Sequence, residues 1–299
     1  MHTTGNVNTH GRKGIILAGG HGTRLWPMTA AVSKQLLPIW DKPMIFYPLS
    51  TLMTAGIQDV LLISTPRDLP HFQRLLGDGH QFGISLSYAL QERPEGLAQA
   101  MLIGAPFLDN RPSALVLGDN IFHGHEVSLA VRRASHAADS SIIASPVADP
   151  ERYGVVVLDP DGRPISIEEK PEMPQSNLAV TGLYFYDSSA PELAKSLKPS
   201  PRGELEITDL NVVYLDQKRL NVETLPADAL WLDTGTNASF LQANQLVEAI
   251  QTRLGALVGS PEIIALENGW IESTQIETSI QGYAGSGYAQ LLAKYIKAM

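Results

Sequence analysis

An α/β protein, with a mostly parallel sheet and helices on both faces, is what this sequence predicts, and three observations predict it. Short uninterrupted apolar runs, Ile15-Ile16-Leu17-Ala18, Val60-Leu61-Leu62-Ile63 and Ala114-Leu115-Val116-Leu117, read as strands buried on both faces. Stretches with apolar residues at helical spacing lie between them, so strands and helices alternate along the chain. Turns rich in glycine or bearing an acid follow the first and third runs, at the strand ends where ligands of such sheets bind.

Taken in order, residues 1–11 are polar and read as a loose leader, without the apolar stretch of a signal peptide. The first strand opens into Gly19-Gly20-His21-Gly22-Thr23-Arg24, three glycines within four residues. Without a Cβ, glycine lets the backbone turn sharply and bring its N–H groups against a ligand. Such a loop after a strand is a ready anion cradle. Arg24 and Lys34 add two cations ten residues apart, and Pro27, Pro38 and Pro43 stiffen the path. This stretch reads as a loop that grips a polyphosphate, with a purely structural turn the lesser reading of the glycines alone. Two common phosphate motifs are absent. No G-x-x-x-x-G-K-[ST] occurs, and after Gly20-His21-Gly22 the third glycine of a dinucleotide fingerprint is Leu25.

Pro43 to Ala55 carries Met44, Ile45, Leu49, Leu52 and Met53 at helical spacing and stops at Gly56. A polar helix over Asp68 to Leu76, a strand over Ile84 to Ala89 and a small-residue helix over Gly96 to Gly104 are expected next. From about residue 140 hairpin chemistry is inserted into the α/β chain. Ser141 to Ala144 reads as a strand, and Gly154 to Leu158 and Ile165 to Ile167 flank the turn Asp159-Pro160-Asp161-Gly162. Val180 to Tyr186 is strand-like and Ile207 to Lys218 helical. Trp231 to Gly235 ends a strand and hands over to a helix spanning Ala238 to Thr252, and the last fifty residues look helical. The division expected is a leader over 1–11, one α/β domain over 12–252 and a C-terminal helical portion over 253–299 packed on it.

At 299 residues the chain is long enough to bury about three quarters of its unfolded surface. It is 44% hydrophobic and 18% charged, with a net charge of −9, which argues against a nucleic-acid partner. Anionic substrates would therefore need a local cluster of cations. The absence of cysteine excludes disulfides and thiolate metal sites and agrees with a reducing cytoplasm. No stretch reaches 18 apolar residues, so no membrane span is expected.

Four further places carry chemistry. Asp119 follows an apolar strand in Leu117-Gly118-Asp119-Asn120, and Asp233 lies in Trp231-Leu232-Asp233-Thr234-Gly235. Read singly, Asp119 is a turn cap and Asp233 a helix N-cap. Read together, they are two carboxylates on separate strand ends able to converge on one Mg²⁺, which takes one or two protein carboxylates plus water and phosphate oxygens. In Ser166-Ile167-Glu168-Glu169-Lys170-Pro171, strand alternation puts Glu169 on one face and Glu168 and Lys170 on the other, unless the proline breaks the pattern. An exposed strand edge and a carboxylate–ammonium pair for a sugar phosphate are both open there. Arg202 stands on a turn, Ser200-Pro201-Arg202-Gly203-Glu204, that is also readable as a solvated loop. His123-Gly124-His125 lacks a third ligand at recognisable spacing, and no G-x-S-x-G elbow occurs.

The glycine loop and the stretch immediately after it, GGHGTRLWP, KQLLP and DKPM, resemble the signature of the sugar-phosphate nucleotidyltransferases. RPEGLAQA, LVLGDN, DPERYGVV, EEKP, AVTGLYFYD, LKPSPRGELEITD and WLDTGT extend the resemblance, most closely to the branch that joins dTTP to glucose 1-phosphate. The resemblance implies a Rossmann-like core with an inserted sugar-binding part, and Leu17 among its substrate-binding positions. It implies that Gly20, Gly22, Thr23 and Arg24 bind the triphosphate, that Arg24 holds the pyrophosphate, and that Lys34 reaches the reacting phosphates. Gln35, Gln91 and Gly96 would meet thymine, since a glutamine amide both donates and accepts. Asp119 and Asp233 would bind Mg²⁺, with Asn120 beside them near the sugars. Gly154, Glu169 and Val180 would contact the glucosyl group, and Lys170 and Arg202 its phosphate. A cytoplasmic homotetramer feeding deoxysugar synthesis, inhibited by its pathway's end product, is what such relatives lead one to expect. A UTP-using enzyme and a non-catalytic regulatory subunit stay open at this point, although Arg24, Lys34, Asp119 and Asp233 are all present. A dinucleotide-dependent oxidoreductase fails on the missing glycine.

Overall fold

The structure is a computed structural model that describes residues 11–20 and 22–298. The expected leader, apart from Gly11, and His21 of the glycine loop lie outside the described residues. Strand β1 (Lys13–Ala18) runs through the glycine loop and a 3-10 turn at Thr23–Leu25 to a second such turn at Lys34–Leu36. A ribbon of β2 (Pro38–Ile39) and β3 (Lys42–Pro43) follows. Helix α1 (Phe46–Thr54), β4 (Asp59–Ser64), α2 (Leu69–Leu76), β5 (Ser85–Leu90), α3 (Gln99–Leu108) and β6 (Ser113–Leu117) complete the first half. Then come β7 (Asn120–His123), α4 (His125–His136), β8 (Ser140–Pro146) and the hairpin β9 (Gly154–Leu158) with β10 (Pro164–Glu169). Strand β11 (Leu178–Tyr186), α5 (Ala190–Lys195), α6 (Ile207–Asp216), β12 (Leu220–Thr224) and β13 (Leu230–Asp233) lead to the last four helices. These are α7 (Asn237–Leu254), α8 (Pro261–Glu267), α9 (Ser273–Gly282) and α10 (Gly287–Ala298).

The main sheet has the order β10-β9-β11-β6-β1-β4-β5, with β8 also on β11 and β12 on β8. Strand β1 lies parallel between β4 and β6, Ile16 pairing with Leu62 on one side and Val116 on the other. Strand β11 turns round and pairs antiparallel with β6, β8 and β9. Side chains of β1 alternate between two cores. Ile16 and Ala18 join the layer of α1, α2 and α4, and Ile15 and Leu17 join that of α3, α5 and α6. Both faces are covered, which is why the run is apolar throughout. Each such buried side chain contributes about 1.5–3 kcal/mol.

The expected strands and helices fall close to where periodicity puts them, with differences that matter for the site. Helix α3 starts at Gln99, not Gly96. Gly96 has φ +108°, and its neighbours are spent on another segment: Leu205 N donates to Glu95 O at 2.8 Å, and Ala98 N to Leu205 O at 3.0 Å. Helix α1 starts at Phe46, because Pro43 belongs to the ribbon and Met44 and Ile45 form a turn that donates to Leu37 O and Gln35 O. The inserted hairpin joins the edge of the main sheet through β11. Strands β7 and β12 and helix α4 were not expected. Strands β7 and β13 form a separate antiparallel ribbon, with Asn120 opposite Asp233. Helix α7 passes through position 252 and ends at Gly255, in the left-handed conformation. Among the described residues no helix is long and apolar enough to cross a membrane.

Candidate active site

Beyond the ends of β1 and β6 lies a cleft of about 760 Å³, with a side pocket of about 200 Å³. One lip is the glycine loop. Gly20 and Gly22 take φ of +92° and +58°, and the Thr29 hydroxyl donates to Gly22 O at 2.7 Å, closing the turn. A Cβ on Gly20 would meet nothing within 4 Å, so its backbone faces open space. Thr23 and Arg24 reach the cleft from the 3-10 turn next in the chain.

At the centre, Lys34 Nζ donates to Asp119 Oδ2 at 2.5 Å. Strands β7 and β13 bring the second carboxylate alongside. Asp233 pairs in register with Asn120, and Thr234 donates to Asp119 O from both N and Oγ1, at 3.2 and 2.8 Å. The N-cap of α7 is Thr236, whose hydroxyl accepts from Ser239 N, so Asp233 is free of that task. Burial pushes Asp119 up, but the ammonium of Lys34 and the Asn120 amide outweigh it and leave the carboxyl below its ordinary range. Burial and then the charge of Asp119 push Asp233 above its ordinary range, against the pull of Lys34, Arg152 and Arg24. Asn120 is fixed by three side-chain hydrogen bonds and by its strand. Its Oδ1 accepts from Trp231 Nε1 at 2.7 Å and Gly182 N at 3.1 Å, its Nδ2 donates to Asp119 Oδ1 at 3.1 Å, and its backbone belongs to β7. The register of β11 against β8 shifts between Val180 and Tyr184, and Gly182 lies in that irregularity. A Cβ there would come within 2.7–2.8 Å of the Asn120 amide.

The side pocket is lined by Leu17, Gln35, Gln91 and Gly96. Gln35 is buried; its Oε1 accepts from Ser33 Oγ at 2.6 Å, and its Nε2 has no protein partner among the described residues. Gln91 Nε2 donates to Gln99 Oε1 at 2.6 Å, and its own Oε1 fills the space a Cβ on Gly19 would need. Gly19 is thus required by the glutamine, not by its φ.

The far lip comes from the hairpin, β11 and α6. Glu169 Oε2 accepts from Thr208 Oγ1 at 2.6 Å, and Gly154 leaves room for both: a Cβ would meet them at 3.3–3.4 Å. Val180 lies beside them in the wall. Lys170 takes φ +46°, which breaks the alternation expected of the strand. Glu169 and Lys170 therefore both face the cleft, with 3.4 Å between carboxylate and ammonium. Arg202 is not brought to the lining. It folds back on Glu206, donating at 2.8 and 3.0 Å, and is half-exposed.

Sequence reasoning missed Thr208, Tyr153 and Arg152. Arg152 pairs with Asp149 at 2.6 Å and with Asp233 at 3.6 Å, and Tyr153 packs on Trp231 with centroids 5.2 Å apart. The aromatic–glycine start of β9, Tyr153-Gly154, was the available signal.

The profile of the nucleotidyl transferase family matches residues 13–250. The chain belongs to the nucleotidyl transferase family. It is 54% identical over 287 residues to the glucose-1-phosphate thymidylyltransferase of Xanthomonas campestris pv. campestris strain B100, covering 96% of this chain and 97% of the relative. It is 52% identical over 284 residues to the enzyme of the same name from Mycolicibacterium smegmatis, covering 95% and 99%. A Bacillus anthracis crystal structure assigned as a glucose-1-phosphate thymidylyltransferase, in complex with a sucrose, superposes with TM-score 0.72 at 39% identity, over 79% of this chain and 94% of that one. A UDP-glucose pyrophosphorylase complexed with UDP-glucose superposes with TM-score 0.68 at 25% identity, over 79% and 97%. This nucleotidyl transferase therefore shares its frame with enzymes named for two different nucleotides.

Proposed function

We propose that the chain transfers a thymidylyl group from dTTP to α-D-glucose 1-phosphate, giving dTDP-glucose and pyrophosphate. The observation that carries this is the position of Lys34, Asp119 and Asp233 between a pocket bearing two buried glutamines and a lip bearing the Glu169–Thr208 pair. A base fits the first and a sugar the second, which leaves the phosphates at the centre.

The nucleophile, a sugar phosphate oxygen, is already anionic at neutral pH and needs no general base. What the protein must supply is approach of two anions, in-line geometry and neutralisation of charge on the leaving pyrophosphate. Gly20, Gly22, Thr23 and Arg24 cradle the triphosphate, with Arg24 on the departing pyrophosphate. Lys34 at the centre and Lys170 on the far lip approach the reacting phosphates, and Arg202 would leave Glu206 to join Lys170 on the sugar phosphate. Gln35, Gln91 and Gly96 hold thymine beside Leu17; Asn120, Gly154, Glu169 and Val180 hold the glucosyl ring. Holding both substrates together accounts for about 7–11 kcal/mol of the barrier.

Asp119 and Asp233 would hold Mg²⁺. The fit rests on their mutual cost: the charge of Asp119 raises Asp233, an expense a divalent cation relieves. When bound, the ion spreads phosphate charge and polarises the α-phosphorus. The same family reading carries a homotetramer in the cytoplasm. Pyrophosphate release, followed with glucose 1-phosphate, Mg²⁺ and each nucleoside triphosphate in turn, tests the proposal. No release with dTTP ends it, and equal efficiency with UTP replaces the thymidylyl assignment with a looser one.

A further inference from the structure

Away from the cleft, the described part of the chain buries a second set of charged groups to which the reaction gives no role. Lys42 is 3% exposed. Its ammonium donates to Asp41 Oδ1 at 2.6 Å, Gln251 Oε1 at 3.1 Å and Tyr47 Oη at 3.4 Å. It also lies 5.0 Å from the ring centroids of both Tyr47 and Tyr288. Asp41 Oδ2 accepts from Gln251 Nε2 at 2.6 Å, which closes the ring of contacts. Behind it, Glu262 is fully buried. Its Oε2 accepts from Tyr288 at 2.5 Å and Ser260 at 3.2 Å, and its Oε1 has no partner among the described residues. A buried pair of this kind is commonly replaceable by apolar side chains without loss of stability. Stability alone therefore does not account for it.

The position of Lys42 does. It stands on the ribbon of β2 and β3, which has only two residues in each strand and so few hydrogen bonds of its own. The base of that ribbon is the segment that serves the cleft. Ile45 N donates to Gln35 O at 2.9 Å and Met44 N to Leu37 O at 3.0 Å, directly after Lys34. The tip is held from outside: Trp40 N donates to Asn244 Oδ1 at 2.7 Å, and Tyr47 Oη to Ile39 O at 2.8 Å. Asn244 and Gln251 belong to α7, the helix that starts four residues after Asp233. Tyr288 and Glu262 belong to α10 and α8.

We infer that Lys42 is a positioning residue, a buried clamp by which α7 and α10 hold the ribbon and so keep Gln35 and Lys34 presented to the nucleotide. A short ribbon held by apolar contact alone slides; a lysine with three directed donors and two aromatic faces fixes its register. The clamp acts on the base and triphosphate side only, because the sugar lip is built from other strands. This deepens the proposed function and rests on it for the kinetic arm of its test.

The test is Lys42→Met, together with Asp41→Asn/Lys42→Met, in which loss of the lysine does not leave Asp41 as an unpaired carboxylate. Two readouts are taken on the folded proteins. The first is hydrogen exchange at the Ile45 amide, which needs no turnover. The second is the kcat/KM for dTTP against dCTP, two nucleotides that a correctly held glutamine tells apart, with the KM for glucose 1-phosphate as a control. Expected are faster exchange at Ile45, a loss of about tenfold or more in the preference for dTTP, and an unchanged KM for glucose 1-phosphate. Lys42→Arg, which keeps the charge and donors, should recover part of the preference. A purely structural lysine would lower the melting temperature and speed exchange across the whole sheet alike, without a selective effect at Ile45 and without moving the preference for dTTP. If Lys42→Met does not fold, the double variant carries the same comparison; wild-type exchange and preference in whichever variant folds overturn the inference. Wild-type protein inert towards dTTP would defeat the proposed function and leave the exchange arm standing.

Discussion

Replacing Gly96 by alanine tests the side pocket at its narrowest point. A Cβ built on Gly96 falls 2.7 Å from the Leu205 carbonyl carbon and closer still to the nitrogen and oxygen of that residue. These are backbone atoms, tied to Glu95 and Ala98 by hydrogen bonds of 2.8 and 3.0 Å, so no side chain can swing away to make room. The φ of +108° adds strain that an L side chain bears poorly, about 1–3 kcal/mol. Overpacking adds about another 1–3 kcal/mol, for a total of about 2–6 kcal/mol. With an unfolding entropy near 2.1 cal/mol/K per residue, a chain of 299 residues loses about 1.6 °C per kcal/mol. The melting temperature should therefore fall by about 3–10 °C. Relief of the clash parts the 95–98 segment from Leu205 and opens the pocket, so kcat/KM for dTTP should fall by about 10–100-fold while the KM for glucose 1-phosphate holds. Calorimetry and steady-state kinetics with each substrate varied in turn measure both. Wild-type melting together with a wild-type KM for dTTP would refute the reasoning.

Asp119→Asn should cut turnover by about 100-fold or more and raise the Mg²⁺ concentration needed for half-maximal rate, since a neutral amide replaces a carboxylate; full activity would exclude Asp119 as a metal ligand. Lys170→Ala should raise the KM for glucose 1-phosphate more than that for dTTP, and the reverse order would put Lys170 on the other substrate. Glu262→Gln should change stability in a pH-dependent way. Burial raises Glu262 in the fold, against Tyr288, Ser260 and Lys42, so the wild type is penalised as pH rises from the unfolded carboxylate range through the higher folded value. The variant escapes this, and its melting temperature should gain on the wild type as pH rises from the acidic range to neutrality; a constant offset across that range would show that Glu262 does not titrate differently in the two states.

The parallel core was legible because a strand covered on both faces has to be apolar at every position, and Ile15 to Ala18 obeys that rule without interruption. The place of Asp119 in the cleft was legible for a related reason, since an acid just after such a run stands at the sheet's edge, whereas Asp233 arrives on the separate ribbon of β7 and β13. What decided their use was invisible. The hydrogen bond between Lys34 and Asp119 spans 85 residues, and nothing in either local string names the other. The turn at Lys170 depends on a left-handed φ that strand alternation does not foresee, and it brings two neighbours of opposite charge to one face. Gly96 read as the start of a helix because its composition suits one; the competing partner, Leu205, is more than a hundred residues away. Helix α4 has a regular stripe of Val127, Ala130, Val131 and Ala134, but the side chains are small and charged residues interrupt them. Arg202 shows the opposite limit. Its motif points to a phosphate, while in this structure its guanidinium is taken by Glu206.

The reversal of β11 sets a length. From Leu178 to Gly182 this strand runs past its last residue paired with β6, so five residues project beyond the parallel edge, about 17 Å at the ordinary rise of a strand. The far lip of the cleft hangs on that projection: Val180 and Gly182 lie along it, and the hairpin attaches to it at Ala179. The strand acts as a gauge rod for that lip. Strand length changes in whole residues, and side chains flip face with each one unless a bulge such as that between Val180 and Tyr184 absorbs it, so the span from the sheet to the hairpin changes in steps of about 3.4 Å or more and not continuously. Under the proposed reaction, adaptation to a different sugar falls to side chains on the far lip, which can change without resetting that span.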